Sequence, residues 1–475
     1  MGFIRTLSGT HRRPHAKPWN ITLTPSSTAR GSTTMSLLTG PNGSNKSTVL
    51  RAVVDAFVAA DTAEELLANE SFDYVPGIDR NVRVGGGSRQ FPSKVIAISG
   101  TVSDRFPPKR GVGGVAGAYQ TDKYVYFGQR ADNFVVSRKL SSATLAIGLL
   151  GSVARESFRA MFTPNMFSLT RTAPRIRLRV RRKSRYQLPS GILQAVRLQE
   201  TLTTASQRPE GSRPSRDYAP IFATQLLERF SAEVMDEVDR FTDSPRPAAD
   251  IDIVITRQGS SVKVPTNLSR EAVMLGLLSG KVEISRFEIA SDQGAFIGID
   301  DLSSGEYHFL ASLLTVWTAV DDESVILVDE PENSLHPQWQ QLYMESLLNA
   351  ASSTRGTHLI IATHSPLIVA AAPMENSYSV DLSPFQSGNT NDVVATDSDS
   401  FAKSADEVLI DHFGLASSRN FFVVETLQRA VDMYADEERD PEQYRQIQAE
   451  ISAFEGAIGE SDPLRELVDT LLGKN

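Results

Sequence analysis

A glycine-rich turn between an apolar strand and an amphipathic helix constrains this chain most. The apolar run Met35–Leu38 leads into Gly-Pro-Asn-Gly-Ser-Asn-Lys-Ser, and apolar side chains then recur at helical spacing, from Val49 to Val58. A strand, turn and helix in this order present backbone N–H groups and the positive end of a helix dipole to an anion. The sequence therefore predicts a phosphate-binding loop that consists of Gly40, Pro41, Asn42, Gly43, Ser44, Asn45, Lys46, Ser47 and Thr48.

Three positions of this loop have specific predicted roles. Lys46 is expected to contact the β- and γ-phosphates of a nucleotide, and the Ser47 hydroxyl is expected to bind Mg²⁺. Asn45 stands where loops of this type usually have a second glycine, a position that often requires a left-handed backbone. Asn tolerates positive φ better than other non-glycine residues, at a cost of about 1 kcal/mol, so we expect the loop to form.

A buried strand that ends in carboxylates lies far downstream. Ser324–Val328 is continuously apolar after its first residue, which is typical of a strand covered on both faces, and Asp329 and Glu330 follow it. In open α/β sheets the catalytic groups lie at the carboxyl ends of the strands. Asp329 is therefore expected to hold Mg²⁺, and Glu330 to orient and polarise an attacking water.

Two further segments flank this strand in sequence. Leu302–Glu306 precedes a predicted helix, and Ser303 with Glu306 forms the pattern of a capping box. That is its structural interpretation; the functional one is that this helix end faces a γ-phosphate through Ser303, Ser304, Gly305 and Glu306. His364 follows the predicted strand His358–Ala362, and it is either a structural histidine or a group that hydrogen-bonds the γ-phosphate or the attacking water.

The order of these elements predicts an α/β fold. We divide the chain into an N-terminal part of this fold (1–136), a mostly helical insertion with a basic strand (137–245), a C-terminal part (246–380), and a polar linker with an acidic helical tail (381–475).

Together the four segments resemble those of the ABC ATPase family. Gly40–Ser47 resembles its Walker A motif, Leu302–Glu306 its signature motif, Val325–Glu332 its Walker B motif and Thr363–Pro366 its switch histidine. The match covers about 1–60 and 295–370, and the long gap before the signature resembles the chromosome-maintenance and repair branch. The Asp329–Pro337 segment followed by Ala-Thr-His-Ser-Pro is similar to stand-alone OLD-type AAA ATPases, many of which belong to anti-phage systems such as Septu, Gabija and retron-associated ATPases.

The resemblance implies a fold, ligands and an assembly. The fold would be an ABC-type ATPase head with a mixed β-sheet core and a largely helical insertion between the Walker A and signature halves. The ligands would be ATP and Mg²⁺. Two copies would dimerise head to tail, or form a higher oligomer, with Lys46 of one chain and Ser304 and Gly305 of the other on the same ATP. Ser334 would lie at that interface, and Gln129 is a candidate for the family's Mg²⁺-contacting glutamine. Trp19 would stack on adenine or belong to the core.

Composition excludes several classes of protein. The chain has no cysteine, so disulfides, zinc–thiolate sites and iron–sulfur clusters are excluded. No run of about twenty apolar residues is present, and the first residues lack the apolar core of a secretion signal, so we expect a cytoplasmic protein with no membrane partner. No long coiled coil separates the two halves of the motif set, which argues against a DNA-tethering repair protein.

A basic segment from Arg175 to Arg185 has three interpretations. On a strand, Arg175, Arg177, Arg179 and Arg181 share one face, while Ile176, Leu178 and Val180 face the core. The arginines form a solvated face, pair with acidic residues of the tail of this chain or a neighbour, or follow a nucleic-acid backbone. The net charge of −9 argues against a protein that is basic all over.

These observations favour an ATP-driven switch in anti-phage defence. The switch would control a separately encoded effector, for which a nuclease is the first candidate. One alternative is an ATP-bound scaffold with little turnover that restrains a toxin or nuclease. Another is a DNA-repair-like ATPase or a self-sufficient nuclease, for which Phe421–Thr426 with Glu425 only faintly resembles the first motif of the OLD-type nuclease.

Overall fold

The structure is a computed structural model. It describes residues 4–10, 18–25, 28, 31–59, 83–85, 92–101, 104–107, 123–128, 138–153, 167–182, 229–243, 250–263, 268–278, 281–384, 392–398, 400, 403–413, 420–435, 440–459, 462 and 464–474. The strands are β1 (Thr6–Thr10), β2 (Pro18–Thr22), β3 (Thr34–Thr39), β4 (Arg83–Gly85), β5 (Val95–Ser99), β6 (Tyr124–Phe127), β7 (Thr172–Arg182), β8 (Ile251–Thr256), β9 (Gly259–Lys263), β10 (Val282–Ser291), β11 (Phe296–Gly298), β12 (Val325–Asp329), β13 (His358–Ala362), β14 (Ser377–Asp381), β15 (Asp392–Val393) and β16 (Thr396–Asp397). The helices are α1 (Lys46–Val54), α2 (Arg138–Ser152), α3 (Ala232–Asp243), α4 (Arg270–Leu278), α5 (Ser304–Ala319), α6 (Pro337–Ser352), α7 (Pro366–Ala370), α8 (Ala405–Phe413), α9 (Phe421–Ala435), α10 (Pro441–Phe454) and α11 (Leu464–Leu471).

The chain divides into two compact units, Met1–Lys403 and Ser404–Asn475. The first unit contains all three sheets, and the second is helical.

A seven-stranded sheet forms the centre of the first unit. Its strand order is β16-β14-β3-β13-β12-β5-β6, and every pair is parallel except β14 with β16. β3, β5, β12 and β13 are buried along their whole length, as the continuous apolar runs of parallel strands predict. The carboxyl ends of β3, β5, β12 and β13 therefore meet at one edge of the sheet.

Two smaller sheets complete the unit. One has the order β15-β2-β1-β4, and the other is antiparallel with the order β11-β10-β7-β8-β9. β7 comes from the segment predicted as an insertion, and it is the central strand of the antiparallel sheet. Its partners are β8 and β10, so at β7 the insertion is continuous with the C-terminal part of the fold.

The predicted elements around the motifs agree with the structure. The strand expected at His358–Ala362 has those bounds, and the helix expected at Ser304–Val320 is α5. Helix α1 is shorter than expected, because it changes to a π-helical turn over Asp55–Ala59.

Buried polar groups connect the N-terminal segment to the central sheet. His358 is fully buried, its Nδ1 accepts the Ile4 N–H at 3.1 Å, and its Nε2 lies 2.8 Å from Ser36 Oγ. The Ser36 hydroxyl donates to the Leu23 carbonyl, so Nε2 carries the proton. Trp19 is 8% exposed within the apolar core, in agreement with a core aromatic and not with adenine stacking.

The second unit contains α8, α9, α10 and α11. Its own apolar cluster consists of Leu427, Ala430, Ile447, Ile451, Ile458, Val468 and Leu471. Among the described residues, no helix has both the length and the apolar composition needed to cross a bilayer.

Candidate nucleotide-binding site

The predicted phosphate loop lies between β3 and α1. Asn45 has φ 69° and ψ 21°, the left-handed conformation expected for the position that it takes from glycine. Gly40 and Gly43 also have positive φ, 128° and 84°. A Cβ on Gly40 would approach Ser44 Oγ and the Ser383 nitrogen to about 3 Å, so this position also lacks room for a side chain. The loop thus delivers the first turn of α1, whose N–H groups have no intrahelical acceptors, to the carboxyl edge of the sheet.

Lys46 is 5% exposed and is bound to the loop itself. Its Nζ donates to the carbonyl oxygens of Gly40 at 2.8 Å and Pro41 at 3.2 Å. Burial lowers the pKa of Lys46, and the nearby carboxylates of Glu330, Asp329 and Glu332 oppose that shift. The cation is therefore held by neutral carbonyl dipoles, with the carboxylates as its surrounding countercharge.

Ser47 and Asp329 meet across the edge of the sheet. Ser47 Oγ donates to Asp329 Oδ1 at 3.1 Å, while Asp329 Oδ2 is buried without a hydrogen-bond partner in the described part of the chain. Burial is the main cause that raises the pKa of Asp329 to about 7, and the Ser47 hydrogen bond opposes it. A buried, half-satisfied carboxyl oxygen beside a hydroxyl is the donor set that a hard divalent cation prefers, so these residues fit the implied Mg²⁺.

Glu330 follows Asp329 in a strained backbone conformation. Its φ of 48° and ψ of 58° are left-handed, which costs a non-glycine residue about 1 kcal/mol or more. Its N–H donates to the Ala362 carbonyl of β13 at 2.9 Å, and its Oε2 accepts from Asn333 Nδ2 at 2.6 Å. Backbone and side-chain contacts together hold the carboxylate at the sheet edge.

Gly100, after β5, makes room for this conformation. A Cβ at position 100 would lie 2.2 Å from the Glu330 carbonyl oxygen, and the Gly100 N–H donates to the Asp329 carbonyl at 2.9 Å. The sequence analysis missed Gly100, because a single glycine after a strand is too common a pattern to indicate a site.

His364 lies beside Glu330. Its Nε2 is 3.8 Å from Glu330 Oε1, and its backbone N–H donates to Glu332 Oε1 at 2.5 Å. Burial lowers the pKa of His364, Lys46 lowers it further, and Glu330 opposes them. The imidazole is therefore mostly neutral near pH 7, and it acts as a hydrogen-bonding group.

The signature-like segment forms the predicted capping box. Glu306 N–H donates to Ser303 Oγ at 3.3 Å, and Ser303 N–H donates to Glu306 Oε2 at 2.9 Å. Gly305 lies against its own chain, where a Cβ would be 2.7 Å from the Ser334 carbonyl oxygen. The structural interpretation of Leu302–Glu306 is confirmed, and the contact of Ser303, Ser304, Gly305 and Glu306 with an ATP held by a second copy stays a prediction.

Several residues near the site carried no prediction. Asp104 is buried, accepts from Phe106 N–H and Tyr126 Oη at 2.9 Å each, and helps to raise the pKa of Asp329. Gln340 is buried and accepts from Ser365 Oγ at 2.5 Å. Neither residue belongs to one of the four predicted motif segments, so only the folded chain shows their contacts.

The arginines of β7 are largely neutralised by carboxylates on neighbouring strands. Arg177 pairs with Glu288 at 2.5 Å, Arg179 donates twice to Asp252 at 2.7 and 3.0 Å, and Arg181 pairs with Glu283 at 2.8 Å. Arg175 and Arg177 also lie over the Phe296 ring, at 5.1 and 4.1 Å from its centroid. Ile176, Leu178 and Val180 are fully buried, as predicted. The acidic partners are on β8 and β10 rather than on the tail.

The remaining site hypotheses gain no support. Gln129 and the end of the basic segment, Lys183 and Arg185, lie outside the described residues. Phe421–Ala435 is the helix α9 with Glu425 on its exposed side, and the described residues contain no cluster of three or more His, Asp or Glu able to hold a metal.

Comparison with known proteins finds a similarity to an AAA domain. A family model described as "AAA domain, putative AbiEii toxin, Type IV TA system" matches residues 175–370, about two fifths of the chain. Among solved structures, the chain is similar to a crystal structure of the Smc head bound to the C-winged helix domain of ScpA. That similarity has 12% identity over 84% of this chain and 98% of that chain, with a TM-score of 0.30, too low to bear on the fold.

The family match supports an AAA-type domain over residues 175–370, and these residues contribute strands to the central α/β sheet. The predicted α/β fold class with a mixed β-sheet core is confirmed, and the ABC-type head stays a prediction. The resemblance is supported as far as an AAA domain over residues 175–370, and the ABC family and the OLD-type branch stay predictions.

Proposed function

We propose that the protein binds ATP with Mg²⁺, hydrolyses it between two copies of itself, and acts as a switch for a separately encoded effector in anti-phage defence. The observation that carries the hydrolysis is the convergence of Lys46, Ser47, Asp329, Glu330 and His364 at one edge of the sheet.

On nucleotide binding, Lys46 would exchange its hydrogen bonds with the loop carbonyl groups for hydrogen bonds with phosphate oxygens. Lys46 Nζ is bound to the Gly40 and Pro41 carbonyls, and phosphate oxygens are stronger acceptors for a cation than neutral carbonyls. Ser47 Oγ and Asp329 would hold Mg²⁺, which supplies neutralisation of the charge on the β- and γ-phosphates. Because the pKa of Asp329 is about 7, its proton is easily given up when a cation binds there.

Glu330 is the group placed to accept the proton of the attacking water. Asn333 occupies its Oε2, which leaves Oε1, on the side of His364, for a water. A neutral His364 donates or accepts a hydrogen bond at that position without adding positive charge beside Lys46. These two side chains therefore supply the base and its orienting partner.

The switch and effector parts rest on the resemblance and the family description. The matched family names a toxin and a TA system, which agrees with a protein that controls a toxic effector. Ser303 to Glu306 forms a helix N-terminus beside the 331–334 turn that follows Glu330, so a second copy bound there would be coupled to the hydrolytic groups.

Glu330→Gln tests the hydrolysis. The amide has the same shape but cannot take a proton, so we expect ATP turnover to fall by about 10² to 10⁴-fold and an ATP-bound dimer to accumulate. Turnover and mass in solution with ATP are the measurements, and Glu345→Gln on the exposed side of α6 is the matched control. Turnover of Glu330→Gln at the parent rate would remove the assignment.

Mixing two inactive variants tests the two-copy site. Lys46→Ala and Ser304→Arg should each abolish hydrolysis alone, because each damages every site of its own dimer. A mixed dimer has one site with the intact Lys46 of one chain and the intact Ser304 of the other, so mixing should restore part of the activity. A mixture that stays inactive while mixed dimers form contradicts the head-to-tail clamp.

Turnover separates a switch from an ATP-bound scaffold. A switch requires that hydrolysis respond to a signal, so we expect parent turnover to change when DNA or the neighbouring effector is added. ATP that stays bound and intact under every condition would favour the scaffold.

A further inference from the structure

The 331–334 turn contacts both proposed catalytic groups through adjacent side chains. Asn333 Nδ2 donates to Glu330 Oε2 at 2.6 Å, and Glu332 Oε1 accepts the His364 N–H at 2.5 Å. The same turn is therefore linked to the Walker B carboxylate and to the loop of the switch histidine.

The second carboxyl oxygen of Glu332, Oε2, is buried. Oε2 has essentially no contact with solvent, and burial raises the pKa of this carboxyl, opposed first by the hydrogen bond from the His364 N–H. A carboxylate that is removed from water is costly unless its hydrogen bonds are specific. The Glu332 carboxyl is held there by the hydrogen bond from the His364 N–H, with further hydrogen bonds from its own backbone and the Thr363 side chain.

The backbone N–H groups on each side of His364 have other acceptors, although the Thr363 side chain also hydrogen-bonds Glu332. Thr363 N–H donates to the Leu38 carbonyl at 3.2 Å, and Ser365 N–H donates to Thr363 Oγ1 at 2.9 Å. Ser365 Oγ is bound to Gln340. The backbone on each side of His364 is therefore fixed by its own contacts, and Glu332 supplies the contact for the N–H of His364 itself.

We infer that Glu332 is a positioning residue for hydrolysis, which fixes the His364 backbone and so keeps the imidazole beside Glu330. The inference rests on the proposed ATP hydrolysis. The function requires a hydrogen-bond acceptor at position 332, not a negative charge, because the donor is a neutral backbone N–H.

Two substitutions of equal length separate these requirements. Glu332→Met keeps the length and removes the acceptor, and we expect it to lower kcat by about 10- to 100-fold with the KM for ATP within about threefold. Glu332→Gln keeps an acceptor oxygen and should retain kcat within about threefold of the parent. If Glu332→Met does not fold, Glu332→Ala takes its place. A Glu332→Gln variant as inactive as Glu332→Met would overturn the inference.

A double variant tests whether Glu332 acts through His364. Glu332→Met in the His364→Ala background should lower kcat by no more than about twofold beyond His364→Ala, whereas a merely structural role predicts that the two effects multiply. Asp322→Ala is the matched control, since Asp322 also accepts a backbone N–H, that of Arg355 at 3.0 Å, at the opposite end of β12 and β13. The kcat of Asp322→Ala should equal that of the parent.

Amide hydrogen exchange without nucleotide gives a readout that does not need hydrolysis. The peptide that covers 358–370 should exchange faster in Glu332→Met than in the parent and Glu332→Gln. If the parent hydrolyses no ATP, the proposed function fails while exchange still reports on the contact. If the parent hydrolyses ATP and exchange is unchanged in Glu332→Met, the inference about Glu332 fails alone.

Discussion

The two larger sheets of the first unit differ in how their charged side chains are partnered. On the antiparallel sheet, Arg177, Arg179 and Arg181 each have a carboxylate on a neighbouring strand. At the carboxyl edge of the parallel sheet, Lys46 is bound to carbonyl groups and Asp329 has an oxygen without a partner among the described residues.

The difference separates structural charge from functional charge. Charges that are paired inside the fold are complete, and nothing further needs to bind them. Here the three N–H groups of the buried Lys46 are bound only to neutral oxygens, and the buried Asp329 has one oxygen without a partner among the described residues. Together with the strained Glu330 they lower the free energy of unfolding, which is typical of a site that a ligand completes. The following changes test that distinction.

Removal of the buried cation should have the largest effect. Lys46→Ala deletes the donor placed for the phosphates, so we expect hydrolysis to fall by about 10² to 10³-fold, with weaker ATP binding. The measurements are turnover and equilibrium binding of labelled ATP. Lys94→Ala is the control, because Lys94 pairs with Asp321 at the opposite end of β5 and should leave both unchanged. An equal loss of turnover and ATP binding in Lys46→Ala and Lys94→Ala would contradict the distinction between structural and functional charge.

A side chain at Gly100 should displace Glu330 without touching the phosphate loop. In Gly100→Ala the new Cβ lies within van der Waals distance of the Glu330 carbonyl, so this residue must move by about 1 Å, which costs on the order of 10²-fold in kcat. ATP affinity should change little. Gly456→Ala, where a Cβ meets open space, is the control. Normal kcat in Gly100→Ala would show that the Glu330 conformation is not required.

His358 should contribute stability and pH dependence but no catalysis. His358→Leu leaves the buried Ile4 N–H without its acceptor and removes the hydrogen bond that Nε2–H donates to Ser36 Oγ, so we expect a loss of about 2–4 kcal/mol in the free energy of unfolding at pH 7.5. Burial lowers the pKa of His358 to about 3, so the parent loses stability as pH falls from about 6.5 toward 3, by up to about 1.4 kcal/mol per pH unit.

Denaturant unfolding at several pH values measures this effect. The difference between the parent and His358→Leu should narrow as pH falls, since leucine does not titrate. His336→Leu, on an exposed histidine, is the control. A difference that is constant with pH would contradict the role given to the buried imidazole.

The paired arginines should have the smallest effect. Arg179→Ser removes a partly exposed ion pair, so we expect less than about 1 kcal/mol of lost stability and normal hydrolysis. DNA affinity and its salt dependence, measured by gel shift, should also be unchanged. A salt slope that falls by about one in Arg179→Ser would show instead that this face contacts phosphates.

Much of the site was predictable because its motifs are local. The left-handed Asn45, the capping box of Ser303 and Glu306, and the acidic end of β12 each depend on a few consecutive residues. A short segment determines its own backbone and hydrogen-bond options, so its pattern can be recognised without the rest of the fold.

The side-chain partners of the basic strand β7 and of the 331–334 turn after β12 were not predictable in this way. The alternation of β7 indicated its buried and exposed faces, but the carboxylates that pair with its arginines come from β8 and β10. Likewise, Glu332 contacts His364 through the parallel pairing of β12 and β13. Such contacts depend on strand register, which distant segments set together.

The sequence by itself determined the strand–loop–helix of the predicted phosphate loop, the carboxylates after a buried strand, and the α/β class. Only the tertiary structure decided which of the charged residues remain incompletely partnered. Hydrogen bonds and ion pairs act over a few ångströms, so whether Asp329 or Arg179 has a partner depends on which strands lie side by side.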